Sequence, residues 1–224
     1  MLILALDTSG RMASCCLYED GKKRSSCFKD SQLQHSRTIL PICEQMLKEQ
    51  NVSLDDIDAF AACIGPGSFT GIRIGVAIIK GFALAGGKPA AGVSSLEAAA
   101  AAVPENGLIC SIIKAREDEY YYGFFRRNDM GFFRICPDGC LTGSELKTLL
   151  YGADWLLCGD GVSDFLAGNP CQRVRDTKVV QSAEGVAICA WELASCGGLE
   201  DAGGVSPLYL KKTQAERMRE ENNR

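Results

Sequence analysis

Residues 65–75 read Gly-Pro-Gly-Ser-Phe-Thr-Gly-Ile-Arg-Ile-Gly, the stretch whose residue types and spacing carry most chemical content. A glycine turn ahead of a helix points backbone N–H groups outward beside the positive end of the helix dipole, which suits a phosphate or a carboxylate. The motif lacks the lysine of a P-loop and the spacing of the dinucleotide fingerprint. Its glycines also admit a packing role. On a helix, Gly71 and Gly75 share one face and Ala77, Gly81 and Ala85 share an adjacent one. Either face lets a backbone come close, whether that of the chain's own sheet or a helix of another subunit. A glycine inside a helix costs about 1 kcal/mol relative to alanine, so some contact must compensate.

Two further clusters could serve a phosphate or nucleotide. Asp7-Thr8-Ser9 ends an apolar run, and Gly159-Asp160-Gly161 follows another; a structural turn explains the first equally well. His35 is the only histidine, and position 39, where a helical metal pair needs its second ligand, is Ile39. With no GxSxG elbow to supply a nucleophile, neither a metallohydrolase nor a serine hydrolase is supported. Cys136 and Cys140 flank a Pro-Asp-Gly turn, but the chain has no CxxC to complete a zinc set. The remaining cysteines sit mostly in apolar runs, as small hydrophobes do in a reducing compartment. Lys114 to Glu119 reads as a solvated loop, and Tyr120 to Tyr122 as sheet surface with base stacking as the alternative.

The elements that must position these residues follow from pattern. Leu2 to Leu6 predicts a buried strand, and Ala13 to Tyr18 and Arg24 to Phe28 predict two more around an Asp20-Gly21 hairpin turn. Apolar residues at helical spacing from about Leu33 to Gln50 predict an amphipathic helix, kinked or divided by Pro41. A strand over Ile57 to Ile64, a helix from Ser68 or Thr70 to about Ala85, a strand over Pro89 to Val93 and an alanine-rich helix from Ser94 complete a βββαβαβα order. Strands at Leu108 to Lys114, Glu119 to Arg126, Gly131 to Ile135 and Trp155 to Cys158, with helices near 143–150 and 183–194, make a shorter echo. The expected organisation is a first lobe at 1–104, a smaller α/β lobe at 105–212 and a polar tail at 213–224.

Length and composition agree with such a chain. The 224 residues are 46% hydrophobic and 23% charged, which excludes wholesale disorder and leaves room for one large or two small domains. The net charge is −4 and neither half is basic, so tight autonomous binding of nucleic acid is disfavoured and any RNA grip is expected mainly from another subunit. No uncharged apolar run approaches the roughly 20 residues of a membrane span, and no basic leader precedes the first strand. A cytoplasmic protein is expected.

LALDTSG at 4–10, His35-Ser36 followed by Ile39-Leu40-Pro41, GPGSFTGIRIG at 65–75, GVSSLEA at 92–98, AREDEYYYGFF at 115–125 and SPLYLKK at 206–212 together resemble the bacterial TsaB family, also called YeaZ. The likeness is close over 2–102 and thinner beyond. It implies the two-lobed α/β fold of actin, sugar kinases and heat-shock chaperones, with a reduced second lobe. It also implies a non-catalytic subunit in making N6-threonylcarbamoyladenosine beside the anticodon of tRNAs that read codons starting with A. The transferase would be a paralogue, TsaD, whose metal-binding HxxxH motif this chain lacks at Ile39. By this resemblance TsaB pairs with TsaD through first-lobe helices and a TsaE ATPase can join; self-association through the same face is a further expectation when the chain is alone. The interface is then expected at His35, Ile39, Ile42, Met46, Gly71, Ile74, Gly75, Ile78 and Phe82. ATP, ADP and metal would belong to the partner complex rather than to this chain. An ATP-hydrolysing or phosphotransferring enzyme of the same fold, using Asp7, Thr8 and 159–161, is the rival, and a peptidase-like subunit a weaker third.

Overall fold

The computed structural model describes residues 1–31 and 34–211. The tail expected at 213–224 lies outside the described residues. Strand β1 (Leu2–Asp7) is the centre of a five-stranded sheet in the order β3-β2-β1-β4-β5, with β2 at Met12–Glu19, β3 at Lys22–Asp30, β4 at Ala59–Gly65 and β5 at Ala90–Ser94. β1 pairs antiparallel with β2 and parallel with β4, and it is buried on both faces of the sheet, which explains why it is apolar throughout. Leu2, Leu4 and Leu6 face one core and Ile3 and Ala5 another.

Two helices cover the first of these cores. Helix α1 (His35–Glu49) runs as one helix through Pro41 rather than in two pieces. The carbonyl of Arg37 that Pro41 leaves without its usual donor belongs to an exposed residue, where water can bond it. Helix α2 (Phe69–Gly86) starts at the Ser68 cap, whose hydroxyl accepts the Gly71 amide at 3.2 Å, and ends at Gly87 in the left-handed conformation.

Helix α3 (Ser95–Ala101) leads into a second, six-stranded sheet. Its path is β11-β10-β6-β7-β8, with β9 paired to β7. The strands are β6 (Gly107–Arg116), β7 (Glu119–Asn128), β8 (Gly131–Arg134), β9 (Gly139–Thr142), β10 (Trp155–Cys158) and β11 (Val174–Asp176). Helix α4 (Gly143–Leu150) carries a capping box from Thr142 and Glu145, and α5 (Val162–Gly168) follows β10. β9, β11 and α5, four, three and seven residues long, are absent from the pattern-based expectation.

The final helix, α6 (Ala183–Ser195), packs on β1 and β2 of the first sheet rather than on the second. A boundary at residue 104 therefore divides the chain in sequence, while in space the C-terminal part returns to the first sheet. Arg134 ties the two sheets together by pairing with Glu97 of α3 at 2.7 Å, and Ser94 donates to Asp138 at 2.6 Å.

Candidate functional site

The residues expected to carry phosphate chemistry do meet. Asp7, Thr8 and Ser9 are buried at the end of β1, and the turn that follows them touches the second lobe at Asp160 and Gln181. The Asp160 amide donates to Gln181 Oε1 at 3.2 Å, so Gln181 bridges the two loops. Each polar group there already has a structural role or an adverse charge. Thr8 Oγ1 donates to the Gly71 carbonyl at 2.7 Å, fastening α2 to β1. Asp7 Oδ1 accepts the Ser9 amide at 2.7 Å, whereas among the described residues its buried Oδ2 has no hydrogen-bond partner within geometric reach. Burial raises the pKa of Asp7, and burial together with the Asp7 charge raises that of Asp160. His35 acts on the Asp7 carboxylate, but burial lowers its own pKa and favours the neutral imidazole. A phosphate here would face two carboxylates, and among the described residues no lysine or arginine is one of the main groups acting on them. Among the described residues no three His, Cys, Asp or Glu side chains form a group able to hold a metal ion.

The residues expected at an interface divide into two sets. His35, Ile39 and Met46 of α1 are buried in the protomer, with His35 Nε2 3.4 Å from Ser31 Oγ. Gly71 and Gly75 are also buried. A Cβ at Gly71 would overlap the Thr8 carbonyl oxygen, and one at Gly75 would lie 2.6 Å from Thr8 Oγ1. These glycines set the approach of α2 to its own β1, a correction to their expected role in setting the distance to a partner. Gly75→Leu would consequently damage the protomer itself. Ile42, Ile74, Ile78 and Phe82 are only partly buried and edge the core.

The adjacent small-residue face is the open one. Ala77, Gly81 and Ala85 are exposed, and a Cβ at Gly81 would meet nothing within 4 Å. Leu84, 69% exposed, stands beside them. Between α1 and α2 lies a groove of about 480 Å³ whose lining includes Leu40, Leu47, Val52, Leu54 and Phe82. By length and composition α2 could cross a membrane, with a mean hydropathy of 1.5, yet 33% of it is buried in the protomer and it is anchored to β1 through Thr8. What remains is an apolar helical ridge, with bare backbone at Gly81, facing outward beside a second helix. Such a surface is suited to receiving another helix closely.

Sequence reasoning missed one contributor to this face, the segment that follows α6. It runs beside α2: Lys80 Nζ donates to the Val205 carbonyl at 3.0 Å, and the Leu208 amide donates to the Ile64 carbonyl at 2.8 Å. The signal for it was the SPLYLKK motif, which has no partner visible in sequence. Of the tyrosines at 120–122, Tyr120 is not available for base stacking: it is buried edge-on to Phe165 and donates to Asp164 Oδ2 at 2.5 Å.

Comparison with known proteins bears on what such a face serves. The TsaD family, tRNA N6-adenosine threonylcarbamoyltransferase, matches residues 29–132. The chain is 38% identical to the tRNA threonylcarbamoyladenosine biosynthesis protein TsaB of Escherichia coli K12, with 96% of each chain covered. It is 31% identical to the protein of that name in Bacillus subtilis 168, again over 96% of each. Its fold resembles that of YeaZ from Pseudomonas aeruginosa, with a TM-score of 0.83, 27% identity and coverage of 93% of this chain and 99% of that one. A hexokinase from Thermus thermophilus shares the fold at a TM-score of 0.50 and 12% identity, covering 88% of this chain and 100% of that one. The chain thus shares an α/β fold of two mixed sheets with YeaZ and with that hexokinase.

Proposed function

The chain belongs to the TsaB family of tRNA threonylcarbamoyladenosine biosynthesis proteins, and from that premise we propose that it is a non-catalytic subunit that docks on the related transferase, TsaD. The observation that carries this reading is the uncovered apolar ridge of α2 beside α1. A helix whose inner face is fixed to β1 leaves its outer face to a partner, and a related subunit of the same ancestry presents corresponding helices for it.

In this reading the chain contributes no group to bond-making. The threonylcarbamoyl group passes to N6 of the adenosine beside the anticodon on the paralogue, which holds the metal. This chain favours the paralogue's competent state by binding that state more tightly than others. ATP is handled elsewhere in the complex, with a TsaE ATPase as the further member, and tRNA is gripped mainly by the assembly, consistent with a net charge of −4. Alone, the same face serves self-association, and the complex works in the cytoplasm. Among the described residues the main groups acting on Asp7 and Asp160 include no lysine or arginine, so a phosphate placed there would have to bring its own counter-ion.

The test is reconstitution from this chain, TsaD, TsaE, tRNA and the activated threonylcarbamoyl donor, with each left out in turn. Modified tRNA should require both this chain and TsaD, and the chain by itself should turn over no ATP with Mg²⁺. Full modification without the chain, or turnover by it alone, would overturn the reading.

A further inference from the structure

At the head of the exposed ridge stands Arg73, one helical step of four before Ala77 and in the same row as Gly81 and Ala85. Its guanidinium lies 3.9 Å over the Phe69 ring and 5.8 Å from the centre of the Tyr209 ring, and Nε donates to Tyr209 Oη at 2.8 Å. Phe69 and Tyr209 are themselves in contact, with ring centres 5.1 Å apart. The cation is thus held in one orientation by residues four and 136 positions away, yet Arg73 remains exposed. Among the described residues no carboxylate pairs with it.

An arginine held through Nε and stacked on an aromatic ring keeps its two Nη groups for a second partner, and their fork matches a carboxylate. The ordering entropy that normally opposes a surface ion pair has already been met by the stack. The position adjoins apolar, small-residue helix surface, which a partner helix can cover and a polyanion cannot use.

We infer that Arg73 is an anchor of the docking face, received by an aspartate or glutamate on the helix of the partner subunit that lies along the Ala77, Gly81 and Ala85 row, with Tyr209 as its positioning residue. This rests on the docking reading above. It adds to that reading a charged specificity element, and it explains why the C-terminal segment lies along α2, where it orients the side chain that selects the partner.

The test titrates purified TsaD with variants of the full chain whose thermal midpoints are first shown to lie no lower than wild type. Arg73→Ala should weaken binding by roughly 30-fold or more, the loss typical of an interface hot spot. Arg73→Lys should recover little, because an ammonium lacks the fork. Tyr209→Phe should weaken binding less, and its effect should vanish in the Arg73→Ala background, a coupling that an independent structural role would not give. Arg73→Glu should abolish binding, and an Asp→Arg or Glu→Arg change on the facing TsaD helix should restore it. Wild-type binding by Arg73→Ala and Arg73→Glu would overturn the inference, as would a loss confined to tRNA binding. Gly81→Leu run in parallel separates the two claims: if it blocks binding while Arg73→Glu does not, the anchor fails and the docking face stands; if neither blocks binding, the docking face fails as well.

Discussion

Replacing Gly81 by leucine changes the outward side of α2 and leaves its inner contacts intact. Because nothing lies within 4 Å of the position a Cβ would take, the protomer has no clash to absorb. The helix instead gains propensity: glycine is about 1 kcal/mol worse than alanine, and leucine is close to alanine, so a gain of about 0.8 kcal/mol is expected. For a chain of this size that raises the melting temperature by about 2 to 3 °C. The complex should respond in the opposite sense. A leucine in a seam shaped by Ala77, Gly81 and Ala85 holds the partner helix away, and overpacking of this kind costs about 1 to 3 kcal/mol, or roughly 5- to 150-fold in affinity. Thermal unfolding of the isolated chain and calorimetric titration with TsaD read the two effects separately. Gly75→Leu supplies the contrast: its Cβ alone would sit 2.6 Å from Thr8 Oγ1, so it should destabilise the monomer by about 3 kcal/mol or more. A Gly81→Leu protein that melts below wild type, or one that binds TsaD undiminished, would refute the assignment of inner and outer faces.

Gly71→Ala should lower the melting temperature of the isolated chain, because the added methyl overlaps the Thr8 carbonyl oxygen; unchanged thermal unfolding would show that α2 does not rest on β1 as described. Asp7 has a folded pKa raised by burial, so the stability linked to its neutral form is full below its unfolded value and is lost as pH rises through the folded one. Asp7→Asn should therefore melt above wild type at about pH 8, with the gap closing toward about pH 4, and an unchanging gap would contradict a buried, strained carboxylate. His35 has the opposite sign: burial lowers its folded pKa, so the stability it confers is present above about pH 6.5 and falls as pH drops through the folded value. His35→Gln should flatten that acid limb in a melting-temperature series, and an unaltered limb would show that another group titrates there.

Much of this molecule is legible in its sequence, and the parts that are not have identifiable reasons. The run Leu2 to Leu6 can only be a strand buried on both faces, and Asp20-Gly21 sets the hairpin after it, so the centre of the first sheet follows directly. Ser68 and the glycine turn before it mark the start of α2. Which side of α2 faces inward does not follow, because the helix is apolar nearly all round and carries small residues on two neighbouring faces. Only the position of Thr8 decides that Gly71 and Gly75 are inside and Gly81 outside. The placement of α6 on the first sheet, and of Tyr209 against Arg73, depend on contacts between residues far apart in the chain. Asp7 and Asp160 are legible in sequence as two separate candidate clusters, while their meeting, mutual charge and burial appear only when the loops are brought together.

That α2 and α1 turn their uncovered sides to a partner is the claim on which the rest depends, and backbone hydrogen exchange measured with and without TsaD tests it most directly. On complex formation, exchange should slow in peptides from Phe69–Gly86 and His35–Glu49 and stay unchanged in Gly143–Leu150 of the second lobe. Protection confined to the second lobe, with α2 exchanging as it does in the free chain, would contradict the account.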